Sequence, residues 1–158
     1  MTMRKTTITL LLLLFAGCGG RHFEVASPDH FVELEESRQR ELGYELRATS
    51  ADGVVLGVRQ IDNDRHGSGE FWVEAIRNEL RRGGGYALLE ESEVRASTGE
   101  TGRQMRFGRD EEGHAYRYWV TVFVTHDRIF VIEAGGREDR FASAQTELEA
   151  AIASFAVR

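Results

Sequence analysis

HAYRYWVTVFVT, residues 114–125, decides how this chain folds. Side chains alternate across a strand, so Tyr116, Tyr118, Val120, Val122 and Val124 share one face while Trp119 and Phe123 share the other. Both faces are apolar in the middle of the run. A strand with two apolar faces needs cover on both, so the spacing predicts a central strand with helices packed on either side. The flanking sequence agrees. Arg103 to Gly108 reads as a strand, Asp110-Glu111-Glu112-Gly113 as a turn, His126-Asp127 as a second turn and Arg128 to Ala134 as the next strand. Gly135-Gly136 then gives a tight turn into a final helix, about Glu138 to Phe155. Its apolar stripe is Phe141, Ala144, Leu148, Ala151, Ile152 and Phe155.

Working back along the chain, Leu42 to Thr49 alternates apolar and polar residues, Ser50-Ala51-Asp52-Gly53 supplies a turn, and Val54 to Ile61 continues as a β-rich stretch. Together they predict a hairpin. Asp62 to Gly69 is a polar loop. Ser68 is placed to cap a helix from about Gly69 to Arg82, with Trp72, Ala75, Ile76 and Leu80 on one face. Gly83-Gly84-Gly85 ends it, because glycine tolerates a left-handed cap. Tyr86 to Ala96 reads as a strand or a broken pair. These elements describe one α+β domain over residues 30–158, without internal repeats.

The N-terminus has a different character. Arg4 and Lys5 precede an uncharged run, Thr6 to Phe15, followed by Ala16-Gly17 and Cys18. Ten helical residues rise only about 15 Å, half of a bilayer core. A basic start, a short apolar run and small residues are the pattern of a cleaved export signal. Residues 1–17 are therefore expected to be removed. The junction resembles the lipobox of bacterial lipoproteins, which implies lipid attachment at Cys18; without acylation it reads as an ordinary secretory signal. Cys18 is the only cysteine, so no intramolecular disulfide can form. Several acyl chains on one residue would give stable anchoring. Gly19 after the cysteine is not Asp, which by resemblance to enterobacterial sorting favours the outer over the inner membrane. Residues 18–29, with the only proline at Pro28, read as a lipidated tether.

The whole chain of 158 residues carries a net charge of −6. Cleavage after Gly17 removes Arg4 and Lys5 and leaves 141 residues with 18 arginines, no lysine and 26 acidic residues, a net of −8. An acidic domain without a basic stripe is poorly suited to nucleic acid or to anionic headgroups, so membrane contact is expected through the lipid alone.

Candidate chemistry is sparse. Asp62-Asn63-Asp64-Arg65-His66-Gly67 opens like a calcium loop, but His66 holds its fifth position and Val73 its twelfth, where a bidentate Glu belongs. The histidines (22, 30, 66, 114 and 126) show no paired ligand spacing, so no metal is expected. Ser68 lacks the flanking glycines of a nucleophile elbow. Glu90, Glu91, Glu93 and Asp110 to Glu112 fall in turns or on a solvated strand face. At Gly135-Gly136, Glu138 and Asp139 would repel a phosphate from the helix start. Gly83 to Gly85 faces the carbonyl end of its helix, which disfavours anions. Gly99-Glu100-Thr101-Gly102 has the form of a nucleic-acid clamp with an acid inside it. Trp72, Trp119 and the tyrosines are expected in the core, and any exposed together would mark a docking surface.

The order from Arg103 to Val157 resembles the PsbP-like superfamily, which includes Mog-type and DcrB-type proteins. It runs strand, acidic-Gly turn, HAYRYWVTVFVT, tight turn, RIFVIEAGG and a helix ending Ile152-Ala153-Ser154-Phe155. Residues Leu42 to Leu80 resemble the family more loosely. The resemblance implies an antiparallel sheet between helices, an αβα sandwich, and a non-catalytic role in docking onto a protein partner. The expected function is a binding or accessory module in the cell envelope, facing the periplasm, with no cofactor. Two alternatives remain open: a small envelope hydrolase using a carboxylate or His66, and a carrier for an apolar ligand or hydrophobic segment.

Overall fold

The computed structural model describes residues 20–158; Cys18 and the leader lie outside them. In chain order the elements are β1 (Phe23–Glu24), β2 (Phe31–Glu33), α1 (Glu36–Glu41), β3 (Leu46–Ser50), β4 (Val55–Asp62), α2 (Gly69–Arg82) and β5 (Ala87–Arg95). β6 (Thr101–Glu111), β7 (His114–Val124), β8 (Arg128–Arg137), α3 (Glu138–Ala153) and β9 (Ala156–Val157) complete the chain. Seven strands form one antiparallel sheet in the order β2-β3-β4-β8-β7-β6-β5, and β1 pairs with β9 apart from it. The turn between β6 and β7 has two residues, Glu112 and Gly113, both with positive φ (52° and 78°). This is the tight hairpin geometry that matches strand twist. No helix among the described residues is long and apolar enough to cross a membrane.

The predicted two-sided strand is β7, and both of its faces are covered. Trp119 and Phe123 join Phe130, Ile132, Phe141, Leu148, Ile152 and Phe155 in the core beneath α3. Val120 and Val122 join Val73, Met105, Phe107, Ile129 and Val131 beneath α2. The stripe expected on the last helix is the one that packs, although α3 stops at Ala153 and Phe155 follows it into β9.

Several local expectations need correction. On α2 the fully buried side chain is Val73, while Ala75 is exposed; the helix is rotated so that residues 72, 73, 76 and 80 meet the sheet. Within the expected Gly83-Gly84-Gly85 stop, the left-handed residue is Gly85 (φ 67°). Gly135 and Gly136 do not turn the chain but lie in β8. A Cβ on Gly135 would stand 3.3 Å from the Tyr118 ring, and one on Gly136 3.2 Å from Val54 Cγ2, so the bare backbone serves close packing. Tyr86 to Ala96 forms a single strand with an irregularity between Leu88 and Glu90. Strands β1, β2 and β9 and helix α1 are too short to show a period. The expected tether is also partly domain: Phe23 is buried, stacks on Phe155 at 5.8 Å and meets Phe130 edge-on at 6.1 Å. The folded unit thus begins before residue 30.

The α2 side of β3, β4 and the Glu133 end of β8 has no helix over it. Tyr44 covers it instead, lying on Gly57, where a Cβ would come within 2.5 Å of its ring. The Arg59 guanidinium lies over that ring at 3.7 Å, and its Nε donates to Glu133 Oε2 at 2.8 Å. The Tyr118 hydroxyl donates to the other oxygen of Glu133. Burial, then the charge of Glu133, pushes the Tyr118 phenol far above its ordinary value and raises Tyr44 in the same way.

Two outcomes follow from this packing. Phe23→Ala should lower unfolding free energy by about 3–5 kcal/mol in a urea titration, the loss of a core phenylalanine, whereas a tether residue would change nothing. Above the ordinary tyrosine range the folded protein keeps phenol protons that the unfolded chain has released, so stability should fall as pH rises there. In a phenolate absorbance titration of the folded protein, Tyr44 and Tyr118 should titrate above the ordinary tyrosine range.

Candidate functional site

α3 packs over β7 and β8 and leaves the β5–β6 hairpin bare on its face, whereas α2 packs over β7, β6 and β5; a groove runs beside each helix. On the α3 side the groove holds about 310 Å³ between α3 and the hairpin. Its floor is Trp119, held edge-on against Phe141 with ring centroids 4.8 Å apart. Leu89 forms the outer wall and is 54% exposed, because the irregularity in β5 turns it away from the core. Alternation puts Gln104, Arg106 and Gly108 of β6 on this face, a polar and small set that cannot recruit a helix.

Arg106 organises this groove. Its guanidinium lies 4.1 Å from the Trp119 ring centroid, its Nε donates to Gln104 Oε1 at 2.8 Å, and it reaches Glu149 at 3.1 Å and Glu90 at 3.4 Å. A cation over an indole face is attracted by the ring quadrupole. Arg117 and Glu138 pair at the far rim. The result is an aromatic base under a rim of paired charges.

The groove on the α2 side holds about 520 Å³ and is floored by Val73, Val122 and Val124. Arg77 and Arg103 both reach Glu91, at 3.0 and 3.6 Å. Chemically the two grooves are alike: apolar floors, with arginine–carboxylate pairs at the rim. Both are open clefts and offer surface to an extended partner more readily than a closed chamber for a small molecule.

The residues singled out in the sequence scatter. Ser68 caps α2, its Oγ accepting from Phe71 N at 3.2 Å. Asp62 is bound to Arg128 at 2.5 Å. Trp72 is half-buried and its Nε1 donates to Asn63 Oδ1. His66 is exposed on the loop before α2, not set in a cleft against an acid, and its ring stacks on His126. His30 is exposed and bonded to Glu147, whose hydrogen bond and charge raise its pKa. Trp119, itself buried beneath Arg106, forms the base of the α3-side groove, and Tyr116 lines a neighbouring hollow. Arg106 and Leu89 escape sequence reading: an arginine within a strand looks like a solvated residue, and only the strand register sets it over Trp119.

No protein-family profile and no curated protein matches this sequence. Solved structures do match in fold. LpqN of Mycobacterium tuberculosis, described as involved in cell envelope biogenesis, superposes with a TM-score of 0.67 at 12% identity, over 85% of this chain and 82% of its own. The cyanobacterial PsbP protein of Synechocystis, CyanoP, gives 0.60 at 11% identity, over 87% of each chain. A Bacteroides thetaiotaomicron protein gives 0.54 at 18% identity over 87% of this chain and 45% of its own. At these identities the likeness is one of architecture. The chain has the α+β, PsbP-like fold, an antiparallel sheet between helices.

Proposed function

We propose that this protein is a non-catalytic accessory module of the cell envelope, anchored by lipid on Cys18 and docking a protein partner through the groove between α3 and the β5–β6 hairpin. The observation that carries the reading is the Trp119–Arg106 pair at the base of that groove. Arginine is among the residues that most often dominate protein interfaces, and here Arg106, braced on the buried Trp119 ring, faces one open cleft beside exposed Leu89. The envelope description of LpqN and the export leader both support the location. Processing before Cys18 would place the domain on the periplasmic side, with the outer membrane favoured. The carrier alternative fits less well, because an acyl chain would lie against Glu90, Arg106, Arg117 and Glu138. The net acidity speaks against nucleic acid as partner.

Three experiments test this. Cys18→Ser should abolish incorporation of labelled palmitate and release the protein from membranes; a variant that keeps its label refutes the anchor. A photo-cross-linker at Leu89 or Gln145 of the anchored protein, in its own cells, should capture the same partner, and one at Val32 on the opposite edge should not. Arg106→Ala should weaken that partner's Kd by about tenfold while the thermal melt shows the domain folded. An unchanged Kd, or turnover of small esters or peptides by the purified protein, would overturn the reading.

A further inference from the structure

The loop before α2 and the turn between β7 and β8 are far apart in sequence and adjacent in space. Asn63 binds them together. Its backbone N–H donates to Asp127 O at 2.8 Å, and its Nδ2 donates to Gly67 O and Thr125 O, both at 3.1 Å. Its Oδ1 accepts from Gly67 N at 2.8 Å and from Trp72 Nε1 at 3.2 Å, and its carbonyl accepts from His66 N at 2.8 Å. Asn63 is almost wholly buried, at 1% exposure. A buried amide with every polar group satisfied fixes its surroundings. The clamp holds His66, His126 and Asp127 together at the surface.

We propose that His66, His126 and Asp127 form a binding site for a divalent transition-metal ion of the zinc, nickel or copper class. One ligand atom from each of the three lies within 4.8 Å of the others. The imidazole rings are stacked with centroids 3.9 Å apart and planes 7° apart, and Asp127 Oδ1 lies 3.8 Å from His126 Nε2. Ligand atoms around zinc sit about 2.0–2.2 Å from the metal, hence roughly 3.3 Å from one another. The stacked rings hold their in-plane lone pairs parallel, so binding requires both exposed imidazoles to rotate out of the stack until the lone pairs converge on one point.

The hydrogen bonding suits that role. His66 Nδ1 lies 2.9 Å from the carbonyl oxygen of His126. A carbonyl only accepts, so Nδ1 carries the proton, and in the neutral ring the Nε2 lone pair is left free. A backbone carbonyl on the distal nitrogen is the usual support of a ligating histidine. His66 also holds φ at +50°, in the left-handed region, where the clamp keeps it. Arg128, next to Asp127, is bound to Asp62 at 2.5 Å, which offsets its charge beside an incoming metal; Arg65, next to His66, is exposed to solvent, which screens it. Two imidazoles and one carboxylate suit a borderline ion, and a water completes four-coordination; calcium would want oxygen throughout.

The test uses the full-length protein in detergent without an affinity tag, titrated with zinc against a chromophoric chelator. Saturation at one zinc per chain is expected. His66→Asn, which tolerates the left-handed backbone, and His126→Gln should each weaken zinc affinity by about tenfold or more, and the pair together should abolish it. Unchanged thermal melts show that these variants fold. The electron paramagnetic resonance spectrum of the copper-loaded protein should show coupling to imidazole nitrogen that disappears in the double variant. No saturation at one ion per chain, or zinc binding that survives in the double variant, overturns the proposal.

Discussion

The structure depends on one constraint: β7 is apolar on both faces and must be covered twice. A sheet that needs only one cover can leave its other face to water, but Trp119 and Phe123 on one side and Val120 and Val122 on the other admit no such solution. The cover comes from α3 on one face and α2 on the other. Because β8 pairs with β4 as well as β7, the same demand draws the N-terminal hairpin into the sheet.

Helix cover follows apolar residues, and these run out toward β5. On the α3 side, β6 presents Gly102, Gln104, Arg106 and Gly108, and the facing residues of β5 include Glu90 and Ser92. No helix gains by packing there. The α3-side groove is therefore a consequence of sequence alternation in β6 more than of a carved cavity. The same polar residues form a rim of ion pairs over the Trp119 floor. Exposed pairs of this kind add little to stability, so their contribution lies in setting which partners fit.

The end of the sheet at the β7–β8 turn is closed by two different means. On the α3 face Phe155 stacks on Phe123 at 4.9 Å and Phe130 meets it edge-on, with Phe23 added from the N-terminal segment. The segments around Phe23 and Phe155 are thereby drawn together, and β1 pairs with β9. At the turn itself a single buried polar side chain, Asn63, ties the loop before α2 to the β7–β8 connection. The first closure is non-directional and tolerant of shape; the second depends on hydrogen-bond geometry and so holds its loops in one arrangement.

Periodicity reports which face a residue shares with its near neighbours in sequence, and that was enough for much of this protein. The two faces of residues 114–125, the stripe of α3, the Ser68 cap and the hairpin turns are all short-range properties, and the α+β architecture follows from them. Periodicity does not report what lies opposite. Strand register set Arg106 over Trp119, and tertiary packing rotated α2 toward Val73, kept Gly135 and Gly136 in a strand beneath Tyr118 and Val54, and brought Phe23 into the core. His66 and His126 showed no ligand spacing because their proximity is a property of two clamped loops. The sequence by itself determined that the middle strand had to be buried on both sides, because alternation makes each face visible in one dimension. Only the tertiary structure decided which surfaces stayed open, because that depends on contacts between residues that no local period connects.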